Sequence, residues 1–247
     1  MVRKTYEQPA RLRASDLEPL REIVKDNVYD YALLIGGFHF INRIADLLNV
    51  PAELLPESFR RFEFLRRLMV RLGSIVMAQM DLANRDYNVS FKEALENLKP
   101  YYKDPMRQML EEKLAPLKSR PKLIEALRLM LEEREVRSGL EPSVKAKVGR
   151  LVEMNLPAGK HEAEGFHPIP EDPVEAFIFV GTRYAYRTTK EMIDALRHQG
   201  YDDLGILDLA TAIADANMWA RVYRLVGLDP ELYYVDIELF ELKIAIL

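Results

Sequence analysis

The 247 residues include no cysteine. That absence excludes disulfides, thiolate nucleophiles, Cys-x-x-Cys redox pairs and zinc–thiolate sites. Tryptophan is reduced to Trp219 alone, and there are only four histidines. An excess of one charge sign is also missing. Lys and Arg total 35 against 39 Asp and Glu, for a net charge of −4, so no nucleic-acid partner is expected without a concentrated basic face. Every apolar stretch is interrupted by Asp, His, Asn or Arg before the ~20 residues that a membrane span needs, so no membrane partner is expected either. The N-terminus, MVRKTYEQPARLRASD, is charged and has no apolar core, which argues against a secretory signal. A cytoplasmic location is the expectation. No phosphate loop, dinucleotide fingerprint or nucleophile elbow occurs, and no cofactor is implied.

What is present is helical periodicity. Ser15-Asp16 can start a short helix over Leu17–Val24, and a long apolar helix is predicted from Val28 to Leu48, with Asn49 and Pro51 ending it. Phe59, Phe62, Leu65, Leu68, Met69, Leu72, Ile75 and Val76 recur at spacings of three and four. Arg60, Arg61, Arg66, Arg67 and Arg71 lie mostly on the other side, the pattern of an amphipathic helix with a solvated basic face. Ser90 and Glu93 have capping-box spacing. Residues 106–156 read as two or three helices broken near Pro121 and at Gly139–Pro142, and residues 157–173 as a long loop. Three helices follow, near Val174–Tyr186, Thr189–Gln199 and Asp203–Val226. The tail, Tyr233–Leu247, ends in an aliphatic run suited to docking.

Two segments are alike. Residues 28–54, VYDYALLIGGFHFINRIADLLNVPAEL, align without gaps to residues 206–232, ILDLATAIADANMWARVYRLVGLDPEL, at an offset of 178. Identical pairs are Asp30/Asp208, Ala32/Ala210, Ile35/Ile213, Arg43/Arg221, Leu47/Leu225, Glu53/Glu231 and Leu54/Leu232. A weak internal repeat of this kind predicts an all-α chain built from two degenerate units, divided here at residues 1–100 and 101–247.

The second copy, with the residues before it, carries a resemblance. Thr188–Thr189, Leu196-Arg197-His198-Gln199-Gly200, Asp202–Asp203, Ala220-Arg221-Val222 and Gly227-Leu228 together resemble the C-terminal half of an alkyl hydroperoxidase D-like domain, the fold shared with carboxymuconolactone decarboxylases. The first copy is similar through Phe38-His39-Phe40-Ile41-Asn42-Arg43-Ile44-Ala45-Asp46 and the preceding Asp16–Arg21. The resemblance implies a helical bundle that self-associates through helices. It also implies a thiol peroxidase, but that chemistry needs a Cys pair that this chain does not have. Three readings remain: a non-redox relative with a binding or structural role, a decarboxylase-type enzyme acting on a small carboxylic acid, and a metal-binding protein.

Candidate residues follow from polar groups on apolar helices, which must be paired or face a wet cavity. His39, Asn42, Arg43 and Asp46 recur at spacings of three and four, with His39 as the acid–base candidate for a small acidic ligand. Asp30, Asp208, Asp215, Asn217 and Arg221 complete a pocket or a structural network, with Arg224 close by. His161, Glu162, Glu164 and His167 form a candidate metal set, although their loop has no fixed ligand spacing. Asp81, Asn84, Arg85 and Asp86 suit a capped turn. Trp219 is assigned to the core or an interface.

Overall fold

The computed structural model describes residues 2–25, 28–49, 89–137, 139–160, 167–229 and 232. The protein is all-α, with no strand among the described residues. Ten α-helices are described: α1 (Val2–Glu7), α2 (Glu18–Val24), α3 (Val28–Leu47), α4 (Phe91–Leu98), α5 (Met106–Lys113), α6 (Pro121–Arg137), α7 (Pro142–Asn155), α8 (Pro173–Arg183), α9 (Lys190–His198) and α10 (Asp203–Val226). The predicted basic helix over residues 59–76, the 81–86 turn and the 233–247 tail lie outside the described residues.

Caps set the helix ends. The Ser90 hydroxyl accepts from the Glu93 N–H at 3.2 Å and starts α4. Asp172 accepts from the Glu175 N–H at 2.8 Å ahead of Pro173. Asp202 does the same for the Gly205 N–H at 2.7 Å. Each carboxylate or hydroxyl satisfies an orphan first-turn donor. α10 stops at Gly227, whose φ of 78° is left-handed, and Asn49 beyond α3 also turns left-handed at φ 51°.

The chain forms two compact units. The first joins Met1–Pro56 to Leu140–Tyr233, and the second joins Glu57–Gly139 to Tyr234–Leu247. This differs from the expected division at residue 100, because both long helices fall in the first unit. α3 and α10 are apolar on most sides, and each buries its main face against the other. α7 and α8 pack on this pair, and Phe177, Ile178, Leu209, Ile213, Val222 and Leu225 fill the space between. Within the second unit, α4 packs on α6. There the buried Glu125 accepts from Arg128 Nε at 2.6 Å, and Arg128 also bonds Glu132 at 2.8 Å.

The α3–α10 contact is close because Gly36 faces α10. A Cβ at this position would lie 2.6 Å from Val222 Cγ2 and 2.9 Å from Met218 Cγ, whereas one at Gly37 would meet nothing within 4 Å. Ala at either position gains the same helix propensity, about 1 kcal/mol. The Gly36→Ala variant should therefore unfold at lower stability than Gly37→Ala by about 1–3 kcal/mol, the cost of overpacking. Equal thermal midpoints for the two variants would contradict the close approach.

Candidate functional site: a closed polar ring

The polar residues on α3 and α10 meet in the middle of the first unit. Arg43 is 8% exposed and Arg221 0%. Arg43 projects from α3 towards the end of α8, where its Nε donates to the Gly181 carbonyl at 3.1 Å and its Nη2 to the Thr182 carbonyl at 3.0 Å. These are last-turn carbonyls that have no partner within their own helix. Arg221 projects from α10 towards α1, and its Nε donates to the Thr5 carbonyl at 2.9 Å. Each arginine thus serves the C-terminal end of a helix from the other end of the chain, where the helix dipole favours a cation.

One turn before each arginine stands a second polar residue. Arg43 Nη1 lies 3.3 Å from His39 Nδ1. Arg221 Nη1 donates to Asn217 Oδ1 at 3.1 Å and to the Asn217 carbonyl at 2.7 Å. His39 Nε2 then reaches Thr5 Oγ1 at 3.0 Å, and Asn217 Nδ2 donates to Thr182 Oγ1 at 3.4 Å and to the Ile213 carbonyl at 2.9 Å. The Thr182 hydroxyl itself donates to the Ile178 carbonyl at 2.8 Å. Thr5, His39, Arg43, Thr182, Asn217 and Arg221 therefore close a hydrogen-bonded ring across α1, α3, α8 and α10. His39 and Asn217 stand 178 positions apart, as do Arg43 and Arg221.

The ring fixes its own protonation. Arginine only donates, so His39 Nδ1 must be the acceptor and the imidazole proton sits on Nε2, facing Thr5. Burial, then the charges of Arg221 and Arg43, hold His39 down at about 2, so it is neutral. Burial lowers Arg43 to about 10, opposed by the nearby Asp46 and Tyr6. Burial pushes Arg221 well down, and Arg43 and Arg224 push it in the same direction. Arg224 has its own partner in Glu153 of α7, bonded through both of its terminal nitrogens.

A general base needs a lone pair that can be reached. The lone pair of His39 is already occupied by Arg43, and all three Arg43 nitrogens donate within the ring. No family model, curated protein or solved structure matches the chain.

The sequence candidates are sorted by this geometry. His39, Arg43, Asn217 and Arg221 join the ring. Asn42 is exposed on α3 and turned away from Arg43, because one residue along a helix rotates the side chain by about 100°. Asp46 is half-buried near Arg43, and burial raises its carboxyl against the opposing pull of that arginine. Asp30 is exposed, whereas its aligned partner Asp208 is buried and Asp215 half-buried, so the aspartates do not repeat an environment. His161, Glu162 and Glu164 lie outside the described residues, and His167 is half-buried. Among the described residues no three His, Asp or Glu groups are placed to hold a metal. Trp219 is buried, its ring tilted by 47° against that of Tyr223 at 5.4 Å between centroids.

Thr5 and Thr182 escaped the sequence reading because threonine on a helix end is ordinary. A faint signal existed: they stand 177 positions apart, one step from the repeat offset. Among the described residues no helix is long and apolar enough to cross a membrane.

Proposed function

We propose that the chain is a non-redox protein of alkyl hydroperoxidase D-like build, with two degenerate copies fused in its first unit, that serves as a binding and assembly protein and not as an enzyme. The observation that carries this reading is the ring: the groups best suited to acid–base work spend their hydrogen-bonding capacity on one another and on helix ends. The fused-copy reading is supported by a similar element order in both halves, a short helix, 3-10 turns (two in the first half, one in the second), a second short helix and a long helix, and by the 178-residue spacing of both ring pairs.

Assembly is supported by the outer face of α3. Tyr31 (41% exposed), Leu34 (57%), Phe38 (62%) and Ile41 (55%) form one stripe around the open Gly37. An uninterrupted apolar stripe of this kind marks an interface. Between Tyr31 and Ala45 no exposed residue carries a charge, since Arg43 is turned inward. A second copy of the same face therefore covers the stripe without burying an ion. Asp30 and Asp46 flank it, so two copies crossing at an angle about Gly37 keep these acids apart, whereas flat antiparallel helices would oppose them.

Phe38→Glu puts a charge at the centre of that contact. Light scattering at fixed protein concentration should give a dimer or larger for the natural chain and a monomer for the variant, with thermal midpoints within a few degrees of each other. A natural chain that is monomeric at ~100 μM, a concentration well above the usual range of specific affinities, would refute assembly through this face.

A further inference from the structure

The ring carries two cations and no carboxylate among its bonded partners. Arg43 is compensated by two carbonyls at the end of the 11-residue α8 and by the field of Asp46. Arg221 has a weaker environment. Its charged neighbours are Arg43 and Arg224, both cations, and the one helix end that it caps belongs to the six-residue α1. Its Nη2 is buried with no hydrogen-bond partner. Burial of an uncompensated guanidinium is among the least favourable arrangements in a folded protein.

We propose that the Nη2 edge of Arg221 is a binding site for a halide-sized monoanion. The full enclosure of Arg221 restricts the guest to a small ion, and a single unpartnered guanidinium edge suits one negative charge. The neighbouring Arg43 adds to the attraction, since two like charges in a low-dielectric interior both favour an anion. The guest would complete the ring where Arg221 has one bonding edge fewer in use than Arg43. The site is distinct from the assembly face of α3, because Arg221 is fully buried whereas Tyr31, Leu34, Phe38 and Ile41 are exposed.

The test uses the full chain in sodium chloride against sodium gluconate at equal ionic strength, gluconate being too large to enter. Thermal midpoints should rise by roughly 3–5 °C for each tenfold increase in chloride above its Kd, and remain flat in gluconate. Crystals grown in bromide should show an anomalous peak in contact with Arg221 Nη2. Arg221→Met, which keeps the side-chain length and removes the charge, should lose the chloride dependence. A midpoint indifferent to the anion, a water at Nη2 in bromide crystals, or a chloride response retained by Arg221→Met would each overturn the proposal. Should Arg221→Met fail to fold, the bromide map of the natural chain decides the matter alone.

Discussion

Arg43→Ala is expected to lower the stability of the first unit by about 3–5 kcal/mol, the range seen when one member of a buried hydrogen-bonded network is removed. Three acceptors lose their donor together: the carbonyls of Gly181 and Thr182 and His39 Nδ1. Each buried acceptor left unsatisfied costs about 1–3 kcal/mol, and the removed side chain leaves a void on α3 beside α8. Arg43→Lys should recover less than half of the loss, because one ammonium cannot reproduce a planar fork that reaches two successive carbonyls and an imidazole. Urea unfolding followed by Trp219 fluorescence measures the effect where it arises, since this sole tryptophan is buried in the same unit. A loss below about 1 kcal/mol, the scale of one ordinary hydrogen bond, would mean that the ring does not hold α8 to α3.

The second large effect is a pH dependence centred on His39. In the unfolded chain this imidazole takes up a proton near pH 6.5. In the folded chain burial and the charges of Arg221 and Arg43 prevent this down to about 2. The unfolded state therefore binds more protons throughout that window, and stability present above pH 6.5 is lost as the pH falls. The limiting slope is about 1.4 kcal/mol per pH unit, which gives a loss of about 2 kcal/mol between pH 6.5 and 4.5. His39→Asn places at this position the residue that occupies its aligned counterpart, Asn217, and can accept from Arg43 while donating to Thr5. The variant should flatten the profile in that window without a large loss at pH 8. Parallel profiles for the two proteins would show that His39 is not the titrating group.

Much of the architecture was legible because it depends on local chemistry. Ser90 and Asp202 sit at helix starts, and Gly200, Gly227 and Asn49 at helix ends with left-handed backbone. α10 runs over Asp203–Val226 as its periodicity and its flanking residues require. The unit boundaries were not legible. A repeat tells that two helices are alike, but says nothing of whether they sit in separate bundles or against each other. The Gly36-Gly37 pair was the available clue, although only Gly36 faces a close approach to α10.

At the site, the identity of Arg43 and Arg221 in both copies singled out two residues that are buried in one hydrogen-bonded network. What the sequence did not reveal was where each guanidinium reaches. Their acceptors are main-chain carbonyls, which every residue possesses, so no side-chain pattern announces them. Asn42 is the opposite case, since spacing groups it with His39 and Asp46 while its side chain is exposed and that of Arg43 is buried. The aspartates mislead for a related reason. Asp30 and Asp208 are identical in type but one is exposed and the other buried, and identity at a repeat position does not carry its surroundings with it.

The Arg221–Thr5 bond spans 216 residues of chain. During synthesis, at about 5–20 residues per second, α1 leaves the ribosome on the order of 10–40 s before its arginine exists. The Glu57–Gly139 part of the second compact unit is made in between. The N-terminal helices must therefore wait with the apolar face of α3 uncovered until α10 arrives, and the first unit cannot close before α10 has been made. Nascent chains of this protein spend that interval as their most aggregation-prone period, and chaperone demand will be set by the delay and not by the stability of the finished fold.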